Sequence, residues 1–149
     1  MKIITGDITQ QTEGLIAHGV NCQGVMGSGV ALAIRQQWPK VFASFLKRQC
    51  GQDMLGFTDL IWINEPQLMV ANCYTQEHFG RENKRYASPL AILKSLRMVF
   101  MAARVYKLVV KMPKIGCGLG GLDWDQDVKP IVELLEDEEG VEVEVYVLP

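Results

Sequence analysis

The stretch Lys107–Trp124, KLVVKMPKIGCGLGGLDW, decides the fold of this chain. An apolar, β-branched run at Leu108, Val109 and Val110 leads into Pro113. Gly116, Gly118, Gly120 and Gly121 follow within six residues, and Leu122-Asp123-Trp124 then opens a helical pattern. A strand that feeds a glycine loop, which in turn feeds a helix N-terminus, is how α/β proteins hold a phosphate. Glycine lets backbone N–H groups approach an anion with no Cβ in the way, and the helix start adds partial positive charge. One such loop also serves ordinary tight turns. A second one, Asn21–Ala31, NCQGVMGSGVA, again lies between a strand pattern and a helix pattern. Two phosphate-sized loops in one small domain point to a dinucleotide-like ligand.

The 149 residues make one domain, 1–149, long enough to bury a core without metal or disulfide staples. Apolar residues are 48% and charged residues 21% of the chain, an ordinary balance for a globular protein. Met1-Lys2-Ile3-Ile4 runs straight into Gly6-Asp7, so no signal peptide is expected, and no apolar run approaches the ~18 residues of a membrane span. A net charge of -2 gives no general basic surface for nucleic acid. Cys22, Cys50, Cys73 and Cys117 are far apart, without a CxxC pair, and His18 and His78 add no ligand cluster. The expectation is a cytoplasmic protein with reduced thiols, no metal, no cofactor and no membrane partner.

Working outward, Lys2–Thr5 reads as a first strand and Leu15–Val20 as a second, which delivers His18 and Asn21 to the first glycine loop. Val30, Ala33, Ile34 and Trp38 share a helical face, and Pro39 begins a further helix with Val41, Phe42, Phe45 and Leu46 inward. Phe57–Ile63 and Gln67–Tyr74 form an antiparallel hairpin about Asn64-Glu65-Pro66, so the sheet is mixed. Thr75–Tyr86 is a long polar connection of the kind that carries function. Ser88 caps a helix with Pro89 at its first position. Lys107–Met112 is the strand before the second loop, and Asp123 caps a last helix over Asp125–Glu138. That helix ends in Glu136-Asp137-Glu138-Glu139, against its dipole, which predicts fraying. Val141–Leu148 alternates as a final strand, its valines inward and Tyr146 outward. The fold class is α/β: a three-layer α/β/α domain on a mixed central sheet, both glycine loops at one end, with Trp38, Trp62 and Trp124 as packing residues.

Several motifs, in order, carry a resemblance that spans nearly the whole chain. They are Gly6-Asp7-Ile8, Asn21 with Gly27-Ser28-Gly29-Val30-Ala31, and Met112-Pro113 followed by Ile115-Gly116-Cys117-Gly118-Leu119-Gly120-Gly121-Leu122-Asp123-Trp124. The chain resembles the macrodomain (ADP-ribose-binding) family. Within it, the chain is similar to the small branch of yeast-type ADP-ribose 1''-phosphate phosphatases, terminal ADP-ribose glycohydrolases and DarG-type antitoxins. The resemblance implies that Asp7 accepts a hydrogen bond from the adenine amino group and Ile8 helps through its N–H. It implies that Gly27, Ser28, Gly29, Val30 and Ala31 wrap the distal ribose and diphosphate. Gly116, Cys117, Gly118, Leu119, Gly120 and Gly121 hold the diphosphate from the other side, with Asn21 at the distal ribose and Gln76 beside it.

Departures from the branch bear on activity. The glycohydrolase lysine falls on Tyr86, with Lys84 nearby, and the glycohydrolase loop aspartate falls on Gly120. The phosphatase branch fits better, because His18 matches its histidine, with Asn21 beside it and Glu77 or Glu82 as candidate acidic partners. A histidine there serves as acid to a leaving oxygen or base to a water; packing inside an apolar strand is its other reading. Phe79 and Tyr86 are candidates to cover the ligand, since the chain stops at Pro149 without the segment that many macrodomains stack on adenine. Three readings follow: a phosphatase acting on ADP-ribose 1''-phosphate, a hydrolase removing ADP-ribose from protein or nucleic acid, and a reader that binds ADP-ribose without turnover.

Overall fold

The computed structural model describes residues 1–27, 29–48, 52–80, 82 and 84–149. Six strands, β1 (Lys2–Thr5), β2 (Gly14–Asn21), β3 (Thr58–Asn64), β4 (Leu68–Gln76), β5 (Val110–Met112) and β6 (Val143–Val147), form one sheet in the order β1-β6-β5-β2-β4-β3. All neighbours are parallel except the β3–β4 hairpin, so the sheet is mixed. Four helices cover it: α1 (Gly29–Gln37), α2 (Pro39–Lys47), α3 (Pro89–Tyr106) and α4 (Lys129–Glu139).

The central strands are largely apolar because both of their faces are buried, as parallel strands under helices require. Leu15, Ala17, Met69, Ala71 and Cys73 pack with Ile92, Leu96, Val99 and Phe100 of α3 and Val132 and Leu135 of α4. The alternate residues Ile16, Val20, Val70 and Tyr74 pack with Ile34 of α1 and with Val41 and Phe45 of α2. The result is a three-layer α/β/α arrangement. Among the described residues, no helix is long and apolar enough to cross a membrane.

The helix signals hold at α3, where Ser88 Oγ accepts the Ala91 N–H at 3.2 Å and Pro89 occupies the first turn. Asp123 also caps: its Oδ1 accepts the Gln126 N–H, while Asp127 accepts the Asp123 N–H in return. The element it caps is a wide π-type turn, Trp124–Val128, and α4 starts only at Lys129.

Four expectations need correction. Leu46 is exposed, because the buried stripe of α2 is only Val41 and Phe45 wide. The strand before the second loop shortens to Val110–Met112, because Lys107 turns into the left-handed region (φ 58°) to end α3. Tyr146 is buried, since β6 is an interior strand covered on both sides. The acidic end of α4 does not fray: Glu136 accepts from the Met1 amino group, Glu138 and Glu139 meet Arg97 and Arg104, and Gly140 closes the helix at φ 64°. Replacing Ser88 by Ala removes the α3 cap and should lower folding stability by about 1 kcal/mol, read from the urea midpoint.

Candidate functional site

Strands β2 and β5 are parallel neighbours, with Leu15 opposite Val110 and Ile16 opposite Lys111, so the loops that follow them leave from the same edge of the sheet. β4 lies on the other side of β2 and ends at Thr75-Gln76. Between these strand ends opens a cleft of about 740 Å³, lined from both glycine loops. Open α/β sheets place ligands at this position, and the volume suits a ligand of nucleotide size.

The second loop is a run of bare main chain bent back on itself. Gly116 sits at φ 77°, Leu122 N–H donates to Gly116 O at 3.0 Å, and Gly121 N–H donates to Gly118 O at 3.1 Å. A Cβ on Gly120 would stand 2.6 Å from Gly116 O, so the bend admits no side chain there. The Tyr86 and Ala87 N–H groups both donate to Gly120 O, at 2.8 and 3.0 Å, and clamp the loop from the side. The N–H groups of Gly116, Gly118, Leu119 and Gly120 find no acceptor among the described residues.

Across the cleft, the Asn21 amide organises the first loop. Its Nδ2 donates to Val25 O at 2.8 Å, and its Oδ1 accepts the Gln23 N–H at 2.9 Å and the Val25 N–H at 3.4 Å. The loop ends where α1 starts at Gly29, and the first turn of that helix, whose N–H groups have no acceptor within the helix, lines the cleft. The whole arrangement presents donors from two sides. Lys114 supplies the only charged side chain on the lining among the described residues, and no carboxylate or imidazole joins it.

Most of the residues singled out in the sequence meet at this cleft: Asn21, Gly27, Gly29, Val30, Ala31, Gln76, Gly116, Gly118, Leu119 and Gly120. Ser28 lies outside the described residues. His18 is a correction. It is 1% exposed, lies under α2, and is absent from the cleft wall. Its Nε2–H donates to Asn72 Oδ1 at 2.5 Å, Asn72 in turn donates to Val41 O, and Nδ1 has no partner. Burial holds its pKa down at about 4. The strand pleat points His18 to the face opposite Ala17, into the layer beneath α1 and α2, so the structure places it in the core and away from the described cleft wall.

Cys117 also turns away, donating its Sγ to Ile115 O at 3.4 Å, and burial pushes the thiol up to about 11. Gly121 is off the wall too, pressed against the Lys84-Arg85 backbone with no space for a Cβ. Ile8 is buried in the core, and Asp7 stands exposed at the end of edge strand β1, beyond the enclosed part of the cleft. The Thr9 hydroxyl and the Thr9 N–H both donate to Asp7 Oδ1 and hold its carboxyl below the usual carboxylate range.

Phe79 lines the cleft and is half exposed, whereas Tyr86 faces a second hollow of about 510 Å³ on the far side of Gly80. Lys84 belongs to that hollow as well, 5.0 Å from the Tyr86 ring centre and 3.5 Å from Glu82; Glu77 and Glu82 line it too. The sequence reading passed over Lys114 and Thr75 as site residues. Lys114 stands inside the deciding stretch, and Thr75 marks the point where the apolar strand gives way to polar residues.

No family model matches the chain. The chain is similar over 99% of its length to the 17.5 kDa protein of the tk-vs intergenic region of Enterobacteria phage T4, 31% identical and covering 95% of that protein. It is 31% identical to a DNA ADP-ribosyl glycohydrolase of Thermus aquaticus over 98% of its length, and spans only 41% of that relative. An ADP-ribose 1''-phosphate phosphatase of Meyerozyma guilliermondii is 26% identical and covered to 98%. Among solved structures, a macrodomain protein from Streptomyces coelicolor superposes with a TM-score of 0.79 at 28% identity, covering 98% of this chain and 97% of that one.

Two expected outcomes follow from the site's packing. As pH falls, the unfolded chain takes up the His18 proton near its ordinary 6.5, whereas the folded chain resists until about 4. The stability that neutral His18 supports is therefore complete above pH ~6.5 and lost progressively down to pH ~4, by up to about 3 kcal/mol. Urea midpoints between pH 7.5 and 4.5 should fall in the wild type and fall less in His18→Gln. Gly120→Ala must push Gly116 O aside and should cost about 1–3 kcal/mol in the same measurement.

Proposed function

The chain belongs to the macrodomain family, and from that premise we propose that its cleft binds ADP-ribose and hydrolyses ADP-ribose 1''-phosphate to ADP-ribose and phosphate. The observation that carries this reading is the facing pair of main-chain donor sets. The N–H groups of Gly116, Gly118, Leu119 and Gly120, without an acceptor among the described residues, and those of the first turn of α1 suit a diphosphate, whose oxygens only accept. Lys114 adds a full positive charge to a lining without carboxylates, which suits a ligand carrying several negative charges. The name of the Meyerozyma relative, covered along nearly its whole length, supports the phosphate ester as substrate.

In this reading Asn21 keeps the first loop in shape and directs its remaining amide N–H to the distal ribose. Gln76 contacts the ligand at the end of β4, and Asp7 with the Ile8 N–H takes the adenine at the β1 edge. The reaction is attack by a water oxygen on phosphorus, with the bond from phosphorus to the sugar oxygen breaking. The sugar oxygen leaves with a proton from solvent. With no acid or base side chain on the described lining, the chain contributes position and donors aimed at the developing charge.

A second reading, removal of ADP-ribose from DNA, rests on the name of the Thermus relative. It needs a working group near the distal ribose. Gly120 cannot carry an aspartate, and Lys84 is engaged with Glu82 and Tyr86 in the neighbouring hollow.

Calorimetry with ADP-ribose tests the shared claim, and a silent titration at high micromolar ligand overturns it. Phosphate release from ADP-ribose 1''-phosphate, run beside ADP-ribosylated DNA, separates the two readings: the first expects turnover of the former only. His18→Gln should keep the wild-type rate. Lys114→Gln should weaken ADP-ribose about two- to fivefold, the size of a partly solvated ionic contact, and flatten the salt dependence of binding.

A further inference from the structure

Lys111 is the one charged residue of β5, and it is 7% exposed between the buried Val110 and Met112. Its Nζ donates to Gln11 Oε1 at 2.9 Å and lies 4.0 Å from Glu144 Oε1. Tyr146 brings its single O–H between the same two groups, 2.7 Å from Glu144 Oε1 and 3.0 Å from Gln11 Oε1. Burial and the Glu144 carboxylate raise the pKa of this tyrosine, so it stays a donor. A buried ammonium is costly, and an apolar side chain of like size would fill the place without that cost. Strands β5 and β6 do not need the cluster, because their backbone ladder already pairs Val110, Lys111 and Met112 with Val143, Glu144 and Val145. The member of the cluster that lies outside the sheet is Gln11.

We propose that Gln11, Lys111 and Tyr146 are positioning residues for base recognition: they pin the turn 7–11 to the interior strands and so hold the Asp7 carboxylate and the Ile8 N–H where the base meets them. The inference rests on the ADP-ribose reading of the cleft, with its base at the β1 edge, and adds what keeps the base-reading groups in place. The turn closes on itself through local bonds. The Thr9 N–H and hydroxyl donate to Asp7 Oδ1, Gln10 N–H donates to Asp7 O, and Gln11 N–H donates to Ile8 O. Such bonds set the shape of a turn but not its place on the molecule. The strand before it fixes that place weakly, since β1 is a four-residue edge strand with mostly exposed side chains. Ile8 anchors the turn on its apolar side, among the residues packed with α1 and α2. Gln11 is the polar anchor, and it reaches both β5 and β6.

The test is calorimetry of wild type, Gln11→Leu and Lys111→Met with ADP-ribose and with inosine diphosphate ribose, whose base carries an oxygen where adenine carries its amino group. A carboxylate meets that oxygen as one acceptor meets another, so the wild type should prefer ADP-ribose. Each variant should bind ADP-ribose about fivefold more weakly and change less than about twofold toward the inosine ligand, so the preference shrinks. A variant that is merely less stable would weaken both ligands alike. Gln11 is only half-buried, so Gln11→Leu carries the readout if Lys111→Met does not fold. An unchanged preference in the folded variants, or equal losses for the two ligands, would overturn the inference and leave the ADP-ribose reading standing. A wild type that binds both ligands alike removes the base from Asp7 and this inference with it. A wild type that binds neither removes the ADP-ribose reading as well.

Discussion

Four backbone N–H groups, those of Gly116, Gly118, Leu119 and Gly120, meet no acceptor among the described residues. Main-chain donors seldom go without a partner, and here the shape of the loop forbids one. Three of its own carbonyls are already used: Gly116 O accepts from Leu122, Gly118 O from Gly121, and Gly120 O from Tyr86 and Ala87. The loop is thus tied by its acceptors and left open by its donors. Because β5 and β2 are parallel neighbours, a second set of donors, at the start of α1, opens onto the same space. The anion-binding character of the cleft comes from this one asymmetry in the main chain, with Lys114 as its charged supplement.

Much of this was readable in the sequence, because it is written in residues with few alternatives. Glycine spacing, a proline after a β-branched run, and Ser88 or Asp123 ahead of a helix each have a short list of physical meanings. What the sequence hides is direction. In a strand buried on both faces, as β2 is, apolar and small residues fill most positions, and no alternation reveals which side chains face which layer. His18 looked placed for chemistry because it stands three residues before Asn21. The pleat instead sends it under α2, where Asn72 satisfies one nitrogen and burial keeps it neutral. Tyr146 and the acidic end of α4 were misread for a related reason, since their partners come from distant parts of the chain.

The clamp on the second loop bears on which chemistry the cleft supports. Tyr86 and Ala87 hold Gly120 O, Gly121 lies against the backbone of Lys84, and Gly120 itself has no space for a Cβ. The segment Lys84–Ala87 is here spent on fixing the loop, and Lys84, engaged with Glu82 and Tyr86, lines the adjoining hollow. Substituting single residues toward the glycohydrolase pattern would disturb the donor geometry before it created a base, so the divergence from that pattern is built into the packing and not confined to two positions.

The same features set the energetics of the empty cleft. N–H groups without an acceptor among the described residues disfavour the ligand-free fold relative to a chain that paired them. The core pays for them, through two apolar layers that close on both faces of the sheet. A ligand that binds only the folded form and satisfies those groups returns that cost as added stability, which rises with the logarithm of its concentration over its dissociation constant. Polar groups arranged this way are hard to explain by folding alone, and their arrangement around one edge of the sheet is the strongest physical reason to treat the cleft as the working part of the molecule.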